Sequence, residues 1–97
     1  MRILFTPTAR DQFLSALEYI SRDNPSAALS FRKTAEESLT RLRDFPESGR
    51  VVPEFPDFPY REMIVRPYRF FCRVNESMIW IAGVWHDAQL PEEPSDE

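Results

Sequence analysis

The feature that most constrains this chain is a change of hydrophobic period across a proline-rich segment. Before it, Ala9, Phe13, Ala16, Leu17 and Ile20 fall three or four residues apart, the spacing of one helix face, and Ala28, Phe31, Ala35, Leu39 and Leu42 do the same. After it, Tyr68, Phe70, Cys72 and Val74 alternate with Arg69, Phe71 and Arg73, the period of a strand. Between them lie Pro46, Pro53, Pro56 and Pro59 with Gly49, which no helix or interior strand tolerates. Helices therefore belong to the first half of the chain and strands to the second.

Local punctuation sharpens this division. Arg2 to Phe5 is a short apolar strand that stops at Thr6-Pro7, a helix cap followed by a first-turn proline. Asn24-Pro25 repeats the signal, so the first helix ends near Arg22 and the second runs to Phe45-Pro46. A connection of about two residues makes the two helices an antiparallel hairpin. Arg61 to Arg66, Tyr68 to Val74 and Met78 to Trp85 then form a three-stranded antiparallel meander. The expectation is an α+β fold in the order strand, helix, helix, loop, strand, strand, strand, with the hairpin on one sheet face. Tyr68, Phe70, Cys72 and Val74 are expected to meet the helices, which leaves Arg69, Phe71 and Arg73 on an uncovered face.

The chain's 97 residues allow one domain, at about 100–200 residues per domain. That domain is expected over residues 1–89, with 90–97 an acidic, flexible tail of two prolines, four acids and one leucine. The net charge of −4 is concentrated at this end: residues 87–97 hold five acids and no base, leaving twelve bases against eleven acids elsewhere. The body is thus nearly neutral, and Arg61, Arg66, Arg69 and Arg73 against Glu62 and Glu76 permit a local basic surface. The longest apolar run, Met78 to Trp85, falls short of the ~20 residues that span a membrane, and no signal region opens the chain, so a soluble cytoplasmic protein is expected. With Cys72 and His86 the only cysteine and histidine, a disulfide or a cysteine/histidine zinc site within one chain is excluded. Cys72 reads as a small core residue.

Several segments together resemble the ParE/RelE superfamily of toxin–antitoxin toxins over about residues 3 to 86. They are Thr6-Pro7-x-Ala9, Asp23-Asn24-Pro25-x-Ala27-Ala28, Leu42-x-x-Phe45-Pro46-x-x-Gly49-Arg50-x-x-Pro53-Glu54, Tyr60-Arg61-Glu62, Pro67-Tyr68-Arg69-Phe70-Phe71-x-Arg73-Val74 and Val84-Trp85-His86. The resemblance implies a small growth inhibitor that needs no cofactor and is held by a cognate antitoxin in a hetero-oligomer. ParE-like members act on DNA gyrase, whereas RelE-like members cut messenger RNA in the ribosome, and a shared fold does not choose between them.

Metal-free RNA cleavage requires a base for the 2′-hydroxyl, an acid for the leaving oxygen and cations on the phosphate. By resemblance to some ribonuclease members, Glu54, Arg69 and His86 would be base, phosphate clamp and acid. RelE-like chains typically cluster lysines for this work, but Lys33 is the only lysine here and falls on a helix. The resemblance therefore favours a ParE-like toxin acting by protein contact rather than an enzyme. Its expected partner contacts are Arg61, Arg69, Phe71, Arg73, Phe55 and Phe58, arginines beside aromatics suiting an acidic partner strand. Gln89 stands where ParE-like chains often carry an arginine. The alternatives are a ribosome-dependent endoribonuclease and a module that binds an antitoxin without toxicity.

Overall fold

The computed structural model describes residues 1–88; Gln89 and the acidic segment 90–97 lie outside the described residues. Five strands and two helices appear in the order β1 (Arg2–Phe5), α1 (Pro7–Asp23), α2 (Pro25–Asp44), β2 (Arg50–Val51), β3 (Arg61–Val65), β4 (Tyr68–Asn75) and β5 (Met78–His86). The expected α+β order holds, and a single 3-10 turn, Pro46–Ser48, precedes the short edge strand β2.

Both helices begin where side chains replace missing intrahelical acceptors. Thr6 Oγ1 accepts from the Ala9 N–H at 3.1 Å, and Asn24 Oδ1 accepts from the Ala27 N–H at 3.1 Å. Asn24 also donates its own N–H to Ile20 O at 3.0 Å, so one residue closes α1 and opens α2. That leaves no slack between the helices and fixes them as a hairpin.

The sheet order is β1-β5-β4-β3-β2. β3, β4 and β5 form the antiparallel meander, while β1 lies parallel to β5 with Leu4 opposite Trp80, so the sheet is mixed. The hairpin covers one face. There Phe13 and Phe31 of the helices meet Phe70 and Tyr68 at ring-centroid distances of 5.7 Å and 5.4 Å, within the range of favourable aromatic pairs. Ala9 and Ala35 are fully buried in the same core, with Cys72, Ile79, Ile81 and Val84 from the sheet. Val74 departs from the expected set: near the end of β4, it is 41% exposed.

The β4–β5 ladder carries one irregularity. Phe71 pairs with Gly83 and Cys72 with Ile81, which leaves Ala82 as an extra residue in β5. The bulge shifts the facing of everything after it: Ile79 and Ile81 point to the helices before it, and Val84 does so after it. Ala82 and Trp85 instead join a second cluster on the opposite face.

Candidate functional site

The face turned away from the helices was expected to be open around Arg69, Phe71 and Arg73. For the first two it is closed. Residues 52–60 fold over the sheet as a strap, held by N–H···O bonds from Phe55 to Val52 and from Phe58 to Phe55. Val52 and Tyr60 are buried beneath it against Phe71, with Phe55 and Phe58 packed on the same cluster and stacked on each other at 4.7 Å. Phe71 is buried, and Phe55 and Phe58 are partly buried in the strap. The physical reason is apolar burial: four aromatic or branched side chains in the strap gain more by covering Phe71 than by facing water.

Arg69 lies beneath the same strap, and its charge is matched there. Its Nη1 and Nη2 donate to the two oxygens of Glu54 at 3.0 Å and 2.7 Å, a bidentate pair. Its Nε donates to Glu62 Oε1 at 2.9 Å, and Nη2 reaches the same oxygen. The second Glu62 oxygen takes a hydrogen bond from Arg50 Nε. The side chains of Arg69 and Glu62 are 6% and 0% exposed, against 42% for Glu54 and 59% for Arg50. The Arg69 carbon Cζ also sits 5.4 Å from the Phe71 ring centroid. The result is an alternating chain, Arg50–Glu62–Arg69–Glu54, that crosses from the sheet edge to the strap.

This arrangement shifts both ends of the outer pair. Hydrogen bonding to Arg69 holds the Glu54 carboxyl below its ordinary range, and hydrogen bonding to Glu54 raises the guanidinium further. A carboxylate with a lowered pKa is a weaker proton acceptor, and both of its oxygens are occupied.

His86 is elsewhere. It pairs with Tyr68 across β4 and β5, whereas Arg69 pairs with Trp85, so the histidine lies on the helix-covered side and the arginine on the other. The imidazole stands edge-on to Tyr68 at 5.3 Å, and its Nδ1 accepts from the Ala88 N–H at 3.0 Å. It lines an open cleft with Thr8, Gln12 and Tyr19 of α1. Burial, with Tyr19 nearby, pushes the Tyr68 phenol up from its ordinary value. The structure thus brings Glu54 and Arg69 together and leaves His86 across the sheet.

Of the remaining sequence candidates, Arg61 is half-exposed and donates to Gly49 O at 3.1 Å, with Glu47 at 3.6 Å. Arg73 is half-buried opposite Trp80. Lys33 is an exposed residue of α2, away from the sheet's second face. Burial pushes the Cys72 thiol up to about 11, as suits an inert core residue. Sequence reasoning missed Arg50, Glu62 and Trp80. Glu62 carried a usable signal, because it sits two residues from both Tyr60 and Ile64 on one strand phase, where a carboxylate requires a buried cation.

Among the described residues no cluster of three or more histidine, cysteine, aspartate or glutamate side chains could hold a metal ion, and no helix is long and apolar enough to cross a membrane. No curated protein matches the chain. A solved structure, the chromosomal ParDE TA system from P. aeruginosa, shares its fold with a TM-score of 0.69 at 18% identity, covering 89% of this chain and 95% of that one. A family model for the ParE toxin of type II toxin–antitoxin system, parDE, matches residues 3–91, and the chain belongs to that toxin family.

Proposed function

We propose that this chain is the growth-inhibiting member of a toxin–antitoxin pair, that it acts in the cytoplasm on DNA gyrase by protein contact, and that a cognate antitoxin neutralises it in a hetero-oligomer. The observation that carries the reading is the separation of the three groups a ribonuclease mechanism would need. Glu54 and Arg69 neutralise each other beneath the strap, and His86 is on the far side of the sheet. A base and an acid must flank one phosphate to move protons at both of its oxygens, and a clamp must have donors to offer. Here the base holds the clamp and the acid faces helix α1. Surface contact with a protein target makes no such demand.

The test is induction of the chain without antitoxin. Gyrase poisoning produces DNA breaks and a DNA-damage response before translation falls. Early arrest of translation with cleaved messenger RNA on ribosomes overturns the proposal in favour of the ribonuclease. Unimpaired growth at a verified level of folded protein leaves only an antitoxin-binding module.

A further inference from the structure

Tyr68 carries a hydroxyl that its packing does not explain. The residue is 8% exposed, and its ring packs against Phe31 at 5.4 Å and His86 at 5.3 Å. A phenylalanine would make the same ring contacts without desolvating a hydroxyl, and a buried tyrosine usually gives that group a hydrogen-bond partner. Among the described residues none hydrogen-bonds this oxygen, yet no fully buried side-chain oxygen lacks a partner, so the hydroxyl itself reaches the surface. It opens into a cleft of about 640 Å³ between the flank of α1, the start of β4 and the end of β5.

The wall that α1 contributes follows the helical repeat, with Thr8, Asp11, Ser15, Glu18 and Arg22 three or four residues apart. Glu18 and Arg22 satisfy each other at 2.8 Å. Asp11 is thereby the carboxylate of the cleft with no cation among the described residues. The Gln12 amide oxygen is taken by the Val84 N–H, and Thr8 and His86 have contacts of their own. Tyr19, 61% exposed, stands near Tyr68, and burial together with that neighbour keeps the Tyr68 phenol protonated.

We propose that this cleft binds the guanidinium group of an arginine presented by a protein partner, with Asp11 and the Tyr68 oxygen as acceptors and the Tyr19 ring beside it. A guanidinium carries five donors in one plane and no acceptor, which suits an unpaired carboxylate and a phenol oxygen on one wall. An exposed aromatic face adds a cation–π attraction that a neutral group lacks. With His86 neutral the lining residues carry a net charge of −1, so a phosphate or carboxylate is repelled. From Thr8 to Arg22 the wall runs roughly 20 Å at 1.5 Å per residue, long enough for the chain that bears the arginine to lie along it. Tyr68 faces the helices and Arg69 the strap, so the cleft is separate from the Glu54–Arg69 pair and holds whichever target the toxin strikes.

The experiment titrates the whole isotope-labelled chain, followed by NMR, with an acetylated Ala-Ala-Arg-Ala-Ala amide, its citrulline counterpart and spermidine. The arginine peptide is expected to shift the Asp11, Ser15 and Tyr68 amides saturably. Citrulline, nearly the same shape without the charge, is expected to leave them in place. Asp11→Asn is expected to weaken binding about tenfold or more and Tyr68→Phe about threefold or more, the losses of a charged and a neutral hydrogen bond. Tyr68→Phe is also expected to leave the melting temperature unchanged or raised, because the hydroxyl has no partner within the fold. No saturable shift, equal affinity for the citrulline peptide, or unaltered affinity in either variant overturns the proposal. So does a lower melting temperature in Tyr68→Phe, which assigns the hydroxyl to the fold, or tighter binding of spermidine than of the arginine peptide, which assigns the cleft to a free amine.

Discussion

Replacing Arg69 by methionine isolates the energetic centre of the fold's second face. The side chain keeps its approximate length while three of the donors that now reach Glu54 and Glu62 disappear. Glu62 then lies fully buried with Arg50 as its remaining cation, and Arg50 is largely exposed. Removing one partner of a buried ion pair costs about 3–5 kcal/mol, because the other charge stays desolvated. Arg50 still covers one Glu62 oxygen, which places this variant near the lower end, about 3 kcal/mol. For a domain of this size each kcal/mol moves the midpoint by about 4–8 °C, so the melting temperature falls by roughly 12 °C or more. Denaturant unfolding followed by circular dichroism measures the loss directly. The double variant Arg69→Met with Glu62→Leu removes both charges and is expected to recover most of it, since an apolar replacement of a buried pair is often neutral. A single variant within about 1 kcal/mol of the parent, or a double variant no more stable than the single one, refutes the claim that desolvated charge is what Arg69 satisfies.

The outer member of the same chain behaves differently. Glu54 is 42% exposed, so solvent screens its pair, and Glu54→Gln is expected to cost less than about 1 kcal/mol at neutral pH. Because the folded carboxyl is held below its ordinary value of 4.5, that contribution is present above this pH and vanishes as pH falls through the folded value. Denaturation curves of parent and variant should therefore differ at pH 7 and converge in acid. Gly83→Ala would place a Cβ 3.0 Å from Trp85 Nε1 and 3.4 Å from Phe71, and overpacking of this kind costs about 1–3 kcal/mol in denaturant melts. Under the proposed mode of action, His86→Ala leaves growth arrest and DNA breakage unchanged on induction, whereas loss of toxicity in a folded variant contradicts it.

What could be read from the sequence follows from how local each determinant is. Thr6-Pro7 and Asn24-Pro25 announce their helices because a cap is a contact between residues three apart. The meander was legible for the same reason, its strands being joined by short turns. The parallel placement of β1 against β5 was not, since its partners are separated by most of the chain and nothing in Arg2 to Phe5 specifies a neighbour. Residues 46–59 looked like a surface connection because their prolines exclude regular structure. Irregular backbone can still bury side chains, and Val52, Phe55, Phe58 and Tyr60 do so. The alternation of Arg69, Phe71 and Arg73 predicts an exposed face only where charge is equated with exposure. Two carboxylates, seven and fifteen residues earlier, meet Arg69 only after the strap folds back.

One residue decides how the candidate catalytic groups relate. Counted strictly by twos from Ile79, the last strand would turn Trp85 toward the helices and His86 toward Arg69, uniting histidine, arginine and Glu54 on a single face. The extra residue Ala82 reverses that phase, so that Trp85 seals the strap cluster and His86 packs on Tyr68. The helix side accommodates the change: Gln12 Oε1 accepts the Val84 N–H at 2.8 Å, just beyond the bulge. A period-two reading is blind to such an insertion because Ala82 and Gly83 are small enough to fit either face. The same bulge that completes the second core by bringing Trp85 to it also carries the histidine away from Arg69 and Glu54.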